Sequence, residues 1–111
     1  MGTETILPGA AIPVHRHLQH DEVLFVHKGQ GRAILDDHTM TVVPGTLLYI
    51  QRQAWHGVRN TGTGLLQLMW TVTPPGLEEF FRELSRVSGQ ADTATIQAIA
   101  QRHGIEFRPE R

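Results

Sequence analysis

The stretch GAAIPVHRHLQHDEVLFVHKG, residues 9–29, holds four of the chain's 7 histidines: His15, His17, His20 and His27. His15 and His17 are separated by one residue. On a β-strand both side chains point to the same face, roughly 6.5–7 Å apart along it. Two imidazoles at that separation can converge on one ion. Glu22 follows after a short turn and can present a carboxylate from the next strand. Far along the chain, His56 stands between Trp55 and Val58. Three histidines and a carboxylate form a ligand set for Zn, Fe, Mn, Ni or Cu, with coordination positions left open for water or substrate. A His-x-His pair taken alone describes surface histidines on a strand edge equally well.

Outward from this stretch, residues 3–73 read as β. Short apolar runs alternate with turn residues at intervals of roughly ten, which suits a sandwich or barrel. Strands are expected over 11–17, 22–28, 31–36, 39–43, 46–50, 55–59 and 65–73. Lys28-Gly29-Gln30-Gly31, Asp36-Asp37, Pro44-Gly45 and Asn60-Thr61-Gly62-Thr63-Gly64 supply the turns between them. No β–α–β alternation appears, so a parallel sheet is not expected.

The pattern changes at Thr73-Pro74-Pro75-Gly76. Leu77, Phe80, Phe81, Leu84 and Val87 recur at helical spacing and predict a helix over 77–88, stopped by Gly89. A second helix is expected over 93–103, capped by Asp92 and Gly104. Ile105-Glu106-Phe107 alternates and suits an extended piece that docks. The division is therefore 1–73 for the β part and 74–111 for a helical extension, which must pack on the β part or on a partner subunit.

Composition narrows the function. With 111 residues the chain is one domain in size. Its 10 Lys and Arg against 11 Asp and Glu leave a net charge of −1, without the basic excess that nucleic acid demands. No apolar run is long enough to span a membrane, and the first residues lack the features of a secretory signal. No cysteine is present, which removes disulfides, thiolate metal sites and cysteine nucleophiles. A cytoplasmic protein without a nucleic-acid or membrane partner is the expectation.

Gly9, five residues, His15-Arg16-His17, four residues, Glu22, six residues, Gly29: this spacing resembles the first signature motif of the cupin superfamily at every fixed position. Gly45, His56 and Asn60 fall in register with the second cupin motif, where Gln51 and Gln53 replace its Pro and Gly. The resemblance covers about residues 7–72. It implies a mostly β fold, a small cupin-type barrel of six to eight strands (a double-stranded β-helix, or jelly roll) with a C-terminal helical tail. It implies one divalent metal inside the barrel, held by His15, His17, Glu22 and His56. Residues 74–80 and 103–107 also look like a group of small bacterial single-domain cupins with no assigned activity. If the Gln53 position requires positive φ, the substitution carries strain of roughly 1 kcal/mol.

The remaining candidates divide by phase and place. His20, in the turn between the ligand strands, is expected to be solvated. His27 lies opposite in phase to Glu22 and should face outward. Arg16 and Arg59 should point away from the metal. Tyr49 is read as packing, with a hydroxyl in the pocket as the alternative. For Gln51 and Gln53 the alternative to a plain turn role places one of them at the pocket mouth. Trp55, Phe25, Met40, Met69 and Trp70 are read as core. Strand 22–28 is apolar on both faces, so its outer face needs a cover, and a homodimer is expected. Three functions are consistent with such a site: oxygen-dependent cleavage of a small organic substrate, which leads; metal-assisted isomerisation or lyase chemistry on a sugar or carbonyl acid; and non-catalytic binding of a small molecule or metal. In the enzymatic readings Glu22 is both a ligand and the catalytic carboxylate, loosening when substrate arrives. The inward positions Leu24, Val26 and Val58 point to a small, partly apolar substrate.

Overall fold

The computed structural model describes residues 1–87, 89 and 92–108. In chain order it forms β1 (Gly2–Ile6), β2 (Ala11–His17), β3 (Asp21–Lys28), β4 (Gly31–Leu35), β5 (His38–Val42), β6 (Leu47–Ile50), β7 (His56–Asn60) and β8 (Leu66–Thr73). Helices α1 (Glu78–Val87) and α2 (Thr93–Arg102) follow, then β9 (Ile105–Phe107). The expected end of the first helix at Ser88 lies outside the described residues. The seven strands expected from the sequence are present within a residue or two. β1 was not among them, and it pairs along its whole length with β8.

Two antiparallel sheets face each other, a four-stranded one in the order β1-β8-β3-β6 and a five-stranded one in the order β5-β4-β7-β2-β9. Alternation along β3 sends Glu22, Leu24 and Val26 inward and leaves Val23 and Phe25 half-buried on the outside. Leu24, Val26, Val42, Val58, Leu66 and Leu68 form the centre of the core between the sheets. Burial of such apolar side chains, about 1.5–3 kcal/mol each, is the main force holding the sheets together.

Turn chemistry closes the ends. Asn60 is fully buried, and its side-chain amide donates to Ile6 O and Gly64 O, both at 2.8 Å, while its Oδ1 accepts from Gly62 N. Gly29 has φ +84°, and a Cβ there would lie 2.3 Å from the Leu65 carbonyl oxygen, so the position admits only glycine.

The extension after Thr73 seals one end of the β structure. Leu77, Phe80, Ile99, Ala100 and Ile105 form a second apolar cluster, against which Trp70, Val72 and Phe107 pack. Asp92 caps α2 as expected, accepting from Thr95 N at 2.8 Å, and Gly104 follows the helix at φ +73°. The extension is not purely helical: β9 adds to the five-stranded sheet beside β2, with His15 opposite Phe107 and His17 opposite Ile105. No helix among the described residues is long and apolar enough to cross a membrane.

Candidate metal centre

β2 carries an irregularity that decides what enters the barrel. Its register against β7 runs Ala11–Arg59, Ile12–Val58 and then His15–His56, so β2 spends one residue more than β7 over this interval. Ile12 packs on the core. Strict alternation from Ile12 would send Val14 and Arg16 inward and both histidines out. The bulge, placed where Pro13 lacks a ladder donor, reverses the phase. His15 and His17 then face inward, and His56 sits directly across from His15.

The three rings meet. One ligating atom from each of His15, His17 and His56 lies within 4.8 Å of the others. Ring centroids are 4.3 Å apart for His15 and His56 and 5.5 Å for His17 and His56. From β3, Glu22 reaches in with Oε1 3.3 Å from His17 Nε2 and Oε2 3.8 Å from His56 Nε2. All four residues expected from the sequence as ligands are thus brought together.

Their hydrogen bonding suits a cation. His15 Nδ1 contacts Pro13 O at 2.8 Å and His56 Nδ1 contacts Ala54 O at 3.0 Å. A carbonyl only accepts, so each Nδ1 carries the proton and each Nε2 presents a lone pair. This is the arrangement that orients metal-binding imidazoles. His56 Nε2 is buried without a hydrogen-bond partner. A lone pair facing a carboxylate is unfavourable unless a proton or a metal ion lies between them. Burial, followed by the neighbouring His56, lowers His15 from 6.5 to about 4. Burial is also the main cause of the lowered His56 value, against an opposing pull from Glu22. Neutral imidazole is the form that binds metal.

Above the cluster lies a cavity of about 280 Å³. The three histidines and Glu22 form one wall, and Leu24, Leu68, Trp70, Phe80, Phe81 and Phe107 form most of the rest. Its roof is thus built by the C-terminal extension. A wider groove of about 730 Å³ crosses the outside of the five-stranded sheet between Arg32, Asp37 and Arg59 and contains none of the three histidines. The small cavity is therefore the one that adjoins the histidine cluster.

Several flanking residues differ from expectation. His20 is buried, 9% exposed, with its ring 6.3 Å from that of His17, and its Nδ1 has no partner. Gln51 and Gln53 are exposed and do not line the cavity. Gln53 does adopt φ +72°, and its backbone N–H is anchored on His17 O at 2.7 Å. Tyr49 lies on the outer face, 56% exposed, which removes it as a pocket hydroxyl. Trp55 lies outside the core, under the Arg16 guanidinium at 4.4 Å, and Arg16 also pairs with Glu106. Glu4 was missed. It faces the cavity from β1, and burial, then the Glu22 carboxylate, raises its pKa.

The cupin domain family model matches residues 2–72, nearly two-thirds of the chain. The chain belongs to the cupin domain family. An uncharacterized protein of Methanocaldococcus jannaschii is 29% identical over 73 residues, 65% of this chain and 58% of that protein. The chain thus matches little more than half the length of this curated relative. Among solved structures, a Thermus thermophilus protein superimposes with a TM-score of 0.62 at 28% identity, over 65% of this cupin and 69% of its own chain. A Bacillus halodurans protein gives a TM-score of 0.64 at 28% identity, over 67% and 61%.

Proposed function

We propose that this cupin holds one divalent transition metal per subunit on His15, His17 and His56, with Glu22 as fourth ligand. It uses that ion on a small, largely apolar organic molecule in the cavity above. The observation that carries the reading is the convergence of three imidazoles on the wall of an apolar cavity. An ion held there supplies Lewis acidity and, where it is Fe, Mn or Cu, redox chemistry with dioxygen.

The protein's own groups do the rest. The Nδ1 bonds to Pro13 O and Ala54 O hold two rings in one tautomer. Glu22 would offset part of the charge of a cation bound there, and its Oε1 and Oε2 could hold a proton beside the bound molecule. Phe80, Phe81 and Phe107 exclude water from the bound molecule. Oxygen-dependent cleavage is favoured over isomerase or lyase chemistry on a sugar, because a sugar's hydroxyls would find few partners on these walls. Elemental analysis of protein purified without an affinity tag tests the reading. Close to one Fe, Mn or Cu per chain is expected. Tightly held Zn would shift the assignment to non-redox chemistry, and no metal at all would contradict it.

We also propose that two copies associate through the outer face of the four-stranded sheet. There Thr3, Met69, Phe25 and Leu47 form one cross-strand row and Thr71, Val23 and Tyr49 the next. Leu47 and Tyr49 are 60% and 56% exposed.

A further inference from the structure

Glu4 is the carboxylate on the cavity wall that the ligand cluster does not use. Among the described residues, Glu22 is the carboxylate within 4.0 Å of a ring nitrogen of the triad. Glu4 stands opposite Leu68 in the β1–β8 ladder. Trp70 is two residues further along β8 and therefore on the same face, at the diagonal distance that long and aromatic side chains bridge. Both line the cavity.

The indole is fixed from two sides. Gly2 lies opposite Trp70, and a Cβ there would come within 2.3 Å of the ring, so the glycine makes room for the indole across β1. Phe81 stacks on Trp70 with centroids 5.3 Å apart. In this position Trp70 Nε1 is buried and makes no hydrogen bond of normal geometry, although it lies close enough to the Glu4 carboxyl to counter part of the rise in that group's pKa. A buried donor with a carboxyl group beside it, in a cavity whose lining apart from the histidine–Glu22 wall is mostly hydrocarbon, is a small polar site. Indole can only donate, and a carboxylate can only accept. One ligand group satisfies both at a single oxygen: a hydroxyl, which accepts from Trp70 Nε1 and donates to Glu4. If Glu4 is itself protonated, its carbonyl oxygen still accepts from the hydroxyl. A ketone would satisfy the indole alone, and a carboxylate would be repelled by Glu4.

We propose that Glu4 and Trp70 form a hydroxyl-recognition pair, so that the cavity selects small apolar molecules bearing an alcohol or phenol group. This rests on the cavity above the histidines being the ligand site. It does not require the metal to be bound.

The test compares p-cresol with toluene, which differ in the hydroxyl, on the purified full-length protein with and without chelator. Binding is followed in NMR spectra through the two indole N–H signals and through the backbone amide signals of the cavity-lining residues, the latter serving alone in Trp70→Phe. The Trp70 signal should move on titration, and that of Trp55, outside the cavity, should stay. The hydroxyl should give p-cresol about a tenfold advantage or more, since a site built to pair a hydroxyl discriminates against the analogue lacking it. Glu4→Leu and Trp70→Phe should each bring the two affinities close together while toluene still binds. Glu4→Gln, nearly isosteric and therefore safe for the fold, should lower the preference part-way. A preference that survives Glu4→Leu and Trp70→Phe overturns the proposal, as does a Trp70 signal that neither probe moves. Metal content is measured on the same samples. Loss of metal in Glu4→Leu would make Glu4 a ligand and also overturn it. Absence of metal from the wild type contradicts the metal reading alone, and the chelated samples still decide the hydroxyl pair.

Discussion

Two of the three clustered histidine rings are constrained by the backbone beside them. His15 and His56 are tied through Nδ1 to backbone carbonyls two residues upstream, so their tautomer is set by local chain geometry rather than by the ion. Burial without a partner cation makes them poor bases. The unfolded chain takes up protons on these imidazoles below about pH 6.5, whereas folded metal-free His15 resists until about pH 4. More protons on the unfolded state means that stability is complete above pH 6.5 and declines as pH falls toward 4. For His15 alone the loss is roughly 2 kcal/mol between pH 7.5 and 4.5, since each tenfold weakening of proton affinity corresponds to about 1.36 kcal/mol. Urea unfolding of chelated protein at those two pH values should show it, and His15→Gln should remove much of the difference. Equal stability at both would mean that His15 is not held neutral by burial.

At the scale of elements, the β3 pattern, the helices and the Asn60 turn were legible in the sequence because each rests on local chemistry. Alternation along 22–28 fixed which face Glu22 shares with Leu24 and Val26. The Asp92 cap and the glycine after α2 bounded a helix. Two features were not legible. β1 turns Gly2, Glu4 and Ile6 inward, a small, a charged and an apolar residue, so it shows no hydrophobic alternation. The β2 bulge depends on pairing with β7, which no single-strand pattern records, although His15 and His17 themselves were identified through their spacing. His20, expected to be solvated, is buried instead. Asn60 offers the clearest test at this scale. Asn60→Ala would leave Ile6 O, Gly64 O and Gly62 N without partners at a buried turn. It should cost roughly 2–4 kcal/mol, the combined effect of more than one buried unsatisfied group, and lower the urea midpoint without altering metal stoichiometry. A loss within a few tenths would show that water replaces the side chain.

For the whole molecule, the C-terminal extension is part of the site rather than an appendage. It roofs the cavity with Phe80 and Phe81 and lays β9 against the strand that carries two of the histidines. The side of the four-stranded sheet facing away from the core is left with an apolar row around Phe25 that the extension does not cover. Sedimentation should show a dimer, and the double variant Leu47→Lys, Tyr49→Lys should be monomeric and fully metal-loaded. A wild type that is monomeric at high concentration would contradict that association. The proposed centre requires residues from β2, β3 and β7 to hold one ion together. The most direct measurement is metal per chain, by elemental analysis after desalting, for the wild type and for His15→Ala, His17→Ala, His56→Ala and His20→Ala, each first shown to be folded. About one ion is expected in the wild type and in His20→Ala, and less than about a tenth in the other three, because loss of one imidazole leaves too few donors to hold a divalent ion tightly. Full occupancy in His56→Ala together with loss in His20→Ala would contradict it, placing the ion on the first histidine cluster alone.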